Sequence, residues 1–116
     1  MATATFRIYS HWTALSNRLD VSWQGGTVNA RGCIVAQGEG GYVLRIYFVD
    51  DATELPPSGY DPETLTAVLF HTYSEMTLFR GMFATTDPLY GYVDSVTPAC
   101  CAVQTAEFPT AEVLAR

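Results

Sequence analysis

Asp50 and Asp51 close an apolar run, and His71 sits between Phe70 and Thr72. These three side chains are the ones whose types suit acid–base chemistry. Catalytic groups gather at strand ends and in the loops beyond them, and an imidazole with a carboxylate beside it is a general acid–base pair. His71 with Asp50 or Asp51 therefore defines a possible small hydrolase or isomerase. Each residue also has a plainer reading. A histidine in an apolar run is commonly a hydrogen-bonded structural group, and an Asp-Asp pair ahead of a proline loop commonly forms a turn.

A metal centre would have to draw on His11, His71, Cys33, Cys100 and Cys101. Zinc requires three or four converging imidazoles or thiolates, usually announced by a close pair of ligands. The close pair here, Cys100-Cys101, points to opposite faces if it lies on a strand. The expectation is no metal and no cofactor. G-x-x-x-x-G-K, H-E-x-x-H, G-x-S-x-G and C-x-x-C are all absent, and Gly38-Glu39-Gly40-Gly41 joins two strand-like runs rather than a strand and a helix.

The aromatic residues suggest binding rather than catalysis. Six Phe, two Trp and seven Tyr are present, and Tyr combines an apolar ring with a polar tip that suits an interface. Tyr60, Tyr90 and Tyr92, gathered with Arg45 or Arg80 and rimmed by Asp50 and Asp51, would form a contact surface of hot-spot type. The plainer reading is that these rings cover the sheet.

Charge narrows the choice of partner. Twelve acids against six bases give −6 in 116 residues, and every base is an arginine. The absence of lysine excludes Schiff-base chemistry and a P-loop lysine. The net charge opposes binding to nucleic acid and anionic lipid. No apolar run approaches the roughly 20 residues needed to span a bilayer. The N-terminal Met-Ala-Thr-Ala-Thr-Phe-Arg lacks the charged start and apolar core of a secretory signal. Three cysteines without framework spacing fit a reducing compartment. A cytoplasmic protein is expected.

Several elements must position these groups. Tyr42–Asp50 alternates with period two and is apolar on both faces, which predicts a central strand. Thr27–Ala36 pairs with it across the glycine-rich Gln37–Gly41. Thr5–Ser10 and 19–24 are further strands, with Gly25-Gly26 as a turn, so 19–24, 27–36 and 42–50 form an antiparallel meander. Trp12, Leu15 and Leu19 at helical spacing predict one short helix between the first two strands. Gly32 marks a bulge or a close approach. Asp51–Tyr60, around Pro56-Pro57-Ser58-Gly59, is a loop.

The stretch 61–83 is ambiguous. Asp61-Pro62-Glu63 reads as a helix start and Gly81 as a stop. Its β-branched and aromatic content instead favours two strands, Leu65–Tyr73 and Met76–Ala84, turning at Ser74-Glu75. Leu89–Asp94 and Ala99–Phe108 are the last strands, followed by a tail from Pro109 to Arg116.

The sum is a single domain over 1–116, mainly β, an antiparallel meander forming a small sandwich or open barrel. The alternative is an α+β fold with one long helix at about 62–80 packed on the sheet. The function expected is protein binding, as an adaptor, accessory subunit or inhibitor, with a homo-oligomer included. A phage or mobile-element product that blocks a host machine fits the size and charge. Small-ligand binding within a β-barrel is the remaining reading.

Overall fold

The computed structural model describes residues 3–23, 25–85, 87–98 and 101–105. Seven strands form one mixed sheet: β1 Thr3–Trp23, β2 Gly26–Gly38, β3 Val43–Val49, β4 Gly59–Asp61, β5 Thr66–Thr72, β6 Tyr90–Asp94 and β7 Ala102–Gln104. Their order is β4-β5-β3-β2-β1-β6-β7. The chain is mainly β, as its alternation predicts, and the sheet is not closed into a barrel. β3 lies inside the sheet, between β2 and β5. The predicted meander is present as β1-β2-β3, with both neighbouring pairs antiparallel. β3 and β5 run parallel, a departure from the all-antiparallel expectation. β4 turns back antiparallel on the outer side of β5, and that placement sets the direction of β5.

Directly opposed residues share a face, so the register sorts the side chains. On the inner face Ala36, Leu44 and Ala67 form one row, and Ile34, Ile46 and Leu69 the next. All six are buried in one cluster with Phe6, Ile8, Phe48 and Val93. A single helix, α1 Met76–Phe83, covers this face. Phe79 packs edge-on to Phe48, with ring centres 5.4 Å apart. A Cβ at Gly32 would lie 2.8 Å from the Met76 sulfur, so the expected close approach at Gly32 is the seat of the helix. On the outer face Val49, Val68 and Phe70 pack with Trp23, Val28 and Tyr47. The far end of the β1–β2 hairpin thus bends back over β3 and β5, which gives a partial second layer.

Two expectations need correction. The predicted helix across Ser10–Leu19 is instead the middle of β1, one strand of 21 residues. Trp12 and Leu15 lie on opposite faces of the regular stretch between the bulges at Ile8/Ser10 and Leu15/Leu19, and Leu19 returns to the Trp12 face only beyond the second bulge, so the three do not form one stripe. Second, 61–83 is not one long helix at 62–80, and of the two expected strands Leu65–Tyr73 is present as β5 whereas Met76–Ala84 is α1. Asp61 does cap a turn, accepting the Glu63 N–H at 2.9 Å and the Thr64 hydroxyl at 3.0 Å. Leu65 then takes a positive φ of 55°, which ends any helix there, and β5 follows. The second half enters α1 through a 3-10 turn at Tyr73–Glu75, which Thr72 and Glu75 cap with a capping box. The Glu75 carboxylate accepts the Thr72 N–H at 3.1 Å and the Thr72 hydroxyl at 2.8 Å. The tail from Pro109 lies outside the described residues, as do Cys100 and the end of the strand expected at Ala99–Phe108.

Glu75 and Asp94 make the fold sensitive to acid. Hydrogen bonds from Thr72 hold the Glu75 carboxyl below its ordinary range. The Thr97 N–H, with that of Val96 and the Tyr92 hydroxyl, does the same for Asp94. A carboxyl depressed in the native state stabilises it above the unfolded value and loses that contribution as pH falls through the folded value. Unfolding midpoints in urea should therefore fall from about pH 5 downward. Asp94→Asn keeps an acceptor for the turn and should show a shallower fall between pH 6 and pH 3. An acid limb identical to that of the parent would show that Asp94 contributes nothing to it.

Candidate functional site

The acid–base pair does not assemble. The ring of His71 lies 3.4 Å from Glu75 Oε2 and packs on Phe79, with ring centres 4.7 Å apart. Asp50 accepts the Ala52 N–H at 3.1 Å, and Asp51 accepts the Ser74 N–H at 3.0 Å. Both aspartates are tied to backbone: Asp50 shapes its own turn, and Asp51 pins that loop to the turn before α1. No hydrogen bond or ion pair joins His71 to either. His71 and Glu75 follow one another on the strand-to-helix connection, where the carboxylate already serves as the cap. Among the described residues no three His, Cys, Asp or Glu side chains converge as a metal site would require. Cys33 is buried, and burial raises its thiol pKa, which makes it a poor nucleophile.

The tyrosine cluster is also dispersed. Tyr60 opposes Ala67 and so faces inward. Burial, then the neighbouring Tyr42, keep its hydroxyl protonated above the ordinary range. Tyr92 opposes Thr5 and Tyr90 opposes Arg7, the residues flanking the inward-facing Phe6, so both tyrosines face the other way. Tyr92 is 2% exposed, and its hydroxyl donates to Asp94 at 3.3 Å. It is covered and cannot serve as contact surface. Arg45 is exposed on the outer face, whereas Arg80 is exposed on α1, which covers the inner face. Of the expected set, Arg45 alone stands on the outer face of a central strand with its head exposed.

Arg45 shares its row with a residue that the helical spacing of Trp12, Leu15 and Leu19 hides. Trp12, Val35, Arg45 and Val68 form one row across β1, β2, β3 and β5. Trp12 is 52% exposed, while Val35 between it and Arg45 is 4% exposed. Leu15, on the inner side of β1, is 55% exposed, and Tyr9 at the first bulge 66%. The backbone here is open as well. β6 pairs with β1 only over Thr3–Arg7, and the last bond on that side joins the Ile8 N–H to the Leu89 carbonyl at 2.9 Å. From Tyr9 onward the second edge of β1 pairs with no strand among the described residues. The signal in the sequence was the uncharged aromatic run Tyr9-Ser10-His11-Trp12, masked by its helical spacing.

Clefts on the surface are open rather than enclosed. One of about 660 Å³ is lined by Asn17, Arg18, Arg31 and Asp50, with the Arg18 guanidinium bonded to Asp20 at 2.9 Å. Another of about 580 Å³ lies among Phe6, Arg7, Glu39, Tyr42 and Tyr90. Side chains fill the inner face of the sheet, so the barrel lumen that a small-ligand protein would use is absent from the described residues. No helix among them is long and apolar enough to cross a membrane. Comparison with known proteins finds no matching family model, no matching curated protein and no matching solved structure.

Proposed function

We propose that the chain is a non-catalytic protein-binding module, an adaptor, accessory subunit or inhibitor, whose contact surface is the middle of β1 with the Trp12–Arg45 row. The observation that carries this reading is the exposure of Trp12, Leu15 and Tyr9 along a strand with an open edge. Large apolar side chains set in one stretch around free backbone donors and acceptors are a recognition surface. Trp and Arg are the residues that most often dominate binding energy. The net charge of −6 favours a protein partner over nucleic acid or an anionic membrane.

Tagged parent protein and a Trp12→Ala/Arg45→Ala variant should be compared for capture of a stoichiometric partner. Trp12 is 52% exposed and Arg45 is exposed, so the truncations should cost no more than about 1–2 kcal/mol and about 0.5 kcal/mol respectively, and the variant should stay folded. Capture should fall at least about 30-fold, the loss of one hot spot. Equal capture by parent and variant overturns the reading. So does a measured turnover that His71→Ala abolishes in a folded protein.

A further inference from the structure

We propose that the open edge of β1 is occupied by a second copy of this chain, paired antiparallel about a twofold axis beside Trp12. The proposal rests on the protein-binding reading above and names the partner for its backbone edge. Three observations carry it.

First, the usable edge is bounded. Bulges at Ile8/Ser10 and at Leu15/Leu19 leave Ser10–Leu15 as one regular stretch. At the second bulge the Ser16 hydroxyl accepts the Arg18 N–H at 3.1 Å and donates to the Arg18 carbonyl at 3.0 Å. A ladder started at Trp12 therefore stops at both ends after a few residues. That gives a closed pair rather than an open fibre.

Second, the stretch lacks the residues that normally guard an edge. Ile8–Asn17 contains no Asp, Glu, Lys, Arg or Pro, whereas exposed edges are usually blunted by charge or proline. The acidic net charge would oppose a copy brought face to face. Here the contact stretch itself is uncharged; at one end Arg18 and Asp20 bond each other at 2.9 Å, and at the other Arg7 and Asp87, one of each sign, line a cleft with Tyr9 and His11. A second copy can therefore pair along this stretch without setting carboxylate against carboxylate within the ladder.

Third, the pairing is self-complementary in its side chains. Antiparallel strands related by a twofold axis place a residue against its own copy. With the axis at Trp12, the two indoles meet on the outer face, His11 opposes Thr13, and Ser10 opposes Ala14. Tyr9 and Leu15 then flank the ladder at either end. At roughly 150–250 Å² per large side chain, the exposed parts of Tyr9, Trp12 and Leu15 in two copies bring roughly 700 Å². With the backbone edges added this reaches the lower limit for a specific interface, roughly 1,000 Å² in total. The dimer is therefore of modest affinity, with a Kd of roughly 10–100 µM.

Light scattering and sedimentation across a dilution series test this. The parent mass should rise from one to two chains with concentration and go no further. Amide exchange at Ser10–Leu15 should slow in parallel. Trp12→Glu places two carboxylates at the axis and should weaken association at least about 100-fold, with an unchanged circular dichroism spectrum. Leu78→Glu serves as the control, because Leu78 is 74% exposed on α1 and lies outside the proposed ladder. Four outcomes overturn the proposal: a parent that stays monomeric up to about 1 mM, well above the expected Kd; a dimer that survives Trp12→Glu; a dimer abolished by Leu78→Glu instead; or growth beyond two copies. A monomeric parent that still captures a different protein through Trp12 and Arg45 would remove the self-pairing and leave the binding module standing. A monomer that captures nothing would remove both.

Discussion

Phe6→Ala should lower the unfolding free energy by about 3–5 kcal/mol, the range for truncating a buried aromatic ring. That is a large share of the roughly 5–15 kcal/mol that holds a small domain together. Phe6 is 5% exposed and stacks on Tyr42, with ring centres 4.7 Å apart and planes within 4°. The ring also occupies the space over two glycines. A Cβ built at Gly38 or at Gly91 would fall inside the van der Waals shell of Phe6. Gly38 ends β2 and Gly91 sits in β6, directly opposite Phe6. One side chain therefore joins the small β6–β7 wing to the main sheet. Gly91→Ala should cost about 1–3 kcal/mol by overpacking, since the added methyl also lies 2.9 Å from Leu44 Cδ1. In the double variant the methyl has room, so the two losses should fall short of additivity by more than the roughly 0.5 kcal/mol expected of independent sites. Urea unfolding of the four proteins measures this, and strict additivity would mean that the ring does not fill the glycine site.

The same residues show which parts of the fold were legible from sequence. The β2–β3 hairpin is written locally. Period two runs through Leu44, Ile46 and Phe48, and the turn carries Gly40 and Gly41 at φ of 77° and 85°, a backbone that glycine adopts freely. Strand order is not local. Tyr60 and Tyr92 each follow a glycine in a short strand, yet one faces inward and the other outward, because β4 and β6 are separated by four strands. Alternation fixes parity within a strand and says nothing about which face becomes the core. The parallel β3–β5 pair is hidden for the same reason, since only the insertion of β4 at the sheet edge sets its direction. Two other features do carry a local signal. Thr72-Tyr73-Ser74-Glu75 is a capping-box pattern and marked the true helix start, whereas the cap at Asp61 was real but led only into a turn. Trp12, Leu15 and Leu19 read as a helical stripe because both faces of the middle of β1 are largely exposed, so no apolar alternation marks its strand period there. Of the expected contact residues Arg45 has an exposed place on the outer face, and the helical spacing hides its row-mate Trp12.

Trp23→Ala should unfasten the far end of the β1–β2 hairpin. Trp23 is half-buried, so the loss should be about 2–3 kcal/mol, below the range for a fully buried ring. Its indole N–H donates to the Pro57 carbonyl at 3.0 Å, and its ring centre lies 5.7 Å from that of Phe70. Gly59 is glycine because a Cβ there would meet the indole at 2.6 Å. The ring thus clamps the hairpin against β4, β5 and the proline loop at once. Exchange at Leu19–Ala30 should accelerate well before that at Leu44–Phe48, because the inner-face core does not include this contact. Uniform acceleration across both segments would show that the hairpin end and the core unfold as one unit. β1 is then a strand held at both ends, by Phe6 and by Trp23, with its uncharged middle left open. A fixed edge has less conformational freedom to lose on pairing than a loose one. Trp23→Ala should therefore weaken self-association even though Trp23 lies outside the proposed ladder. Unchanged dimerisation in a variant whose hairpin end exchanges freely would show that the edge needs no such support.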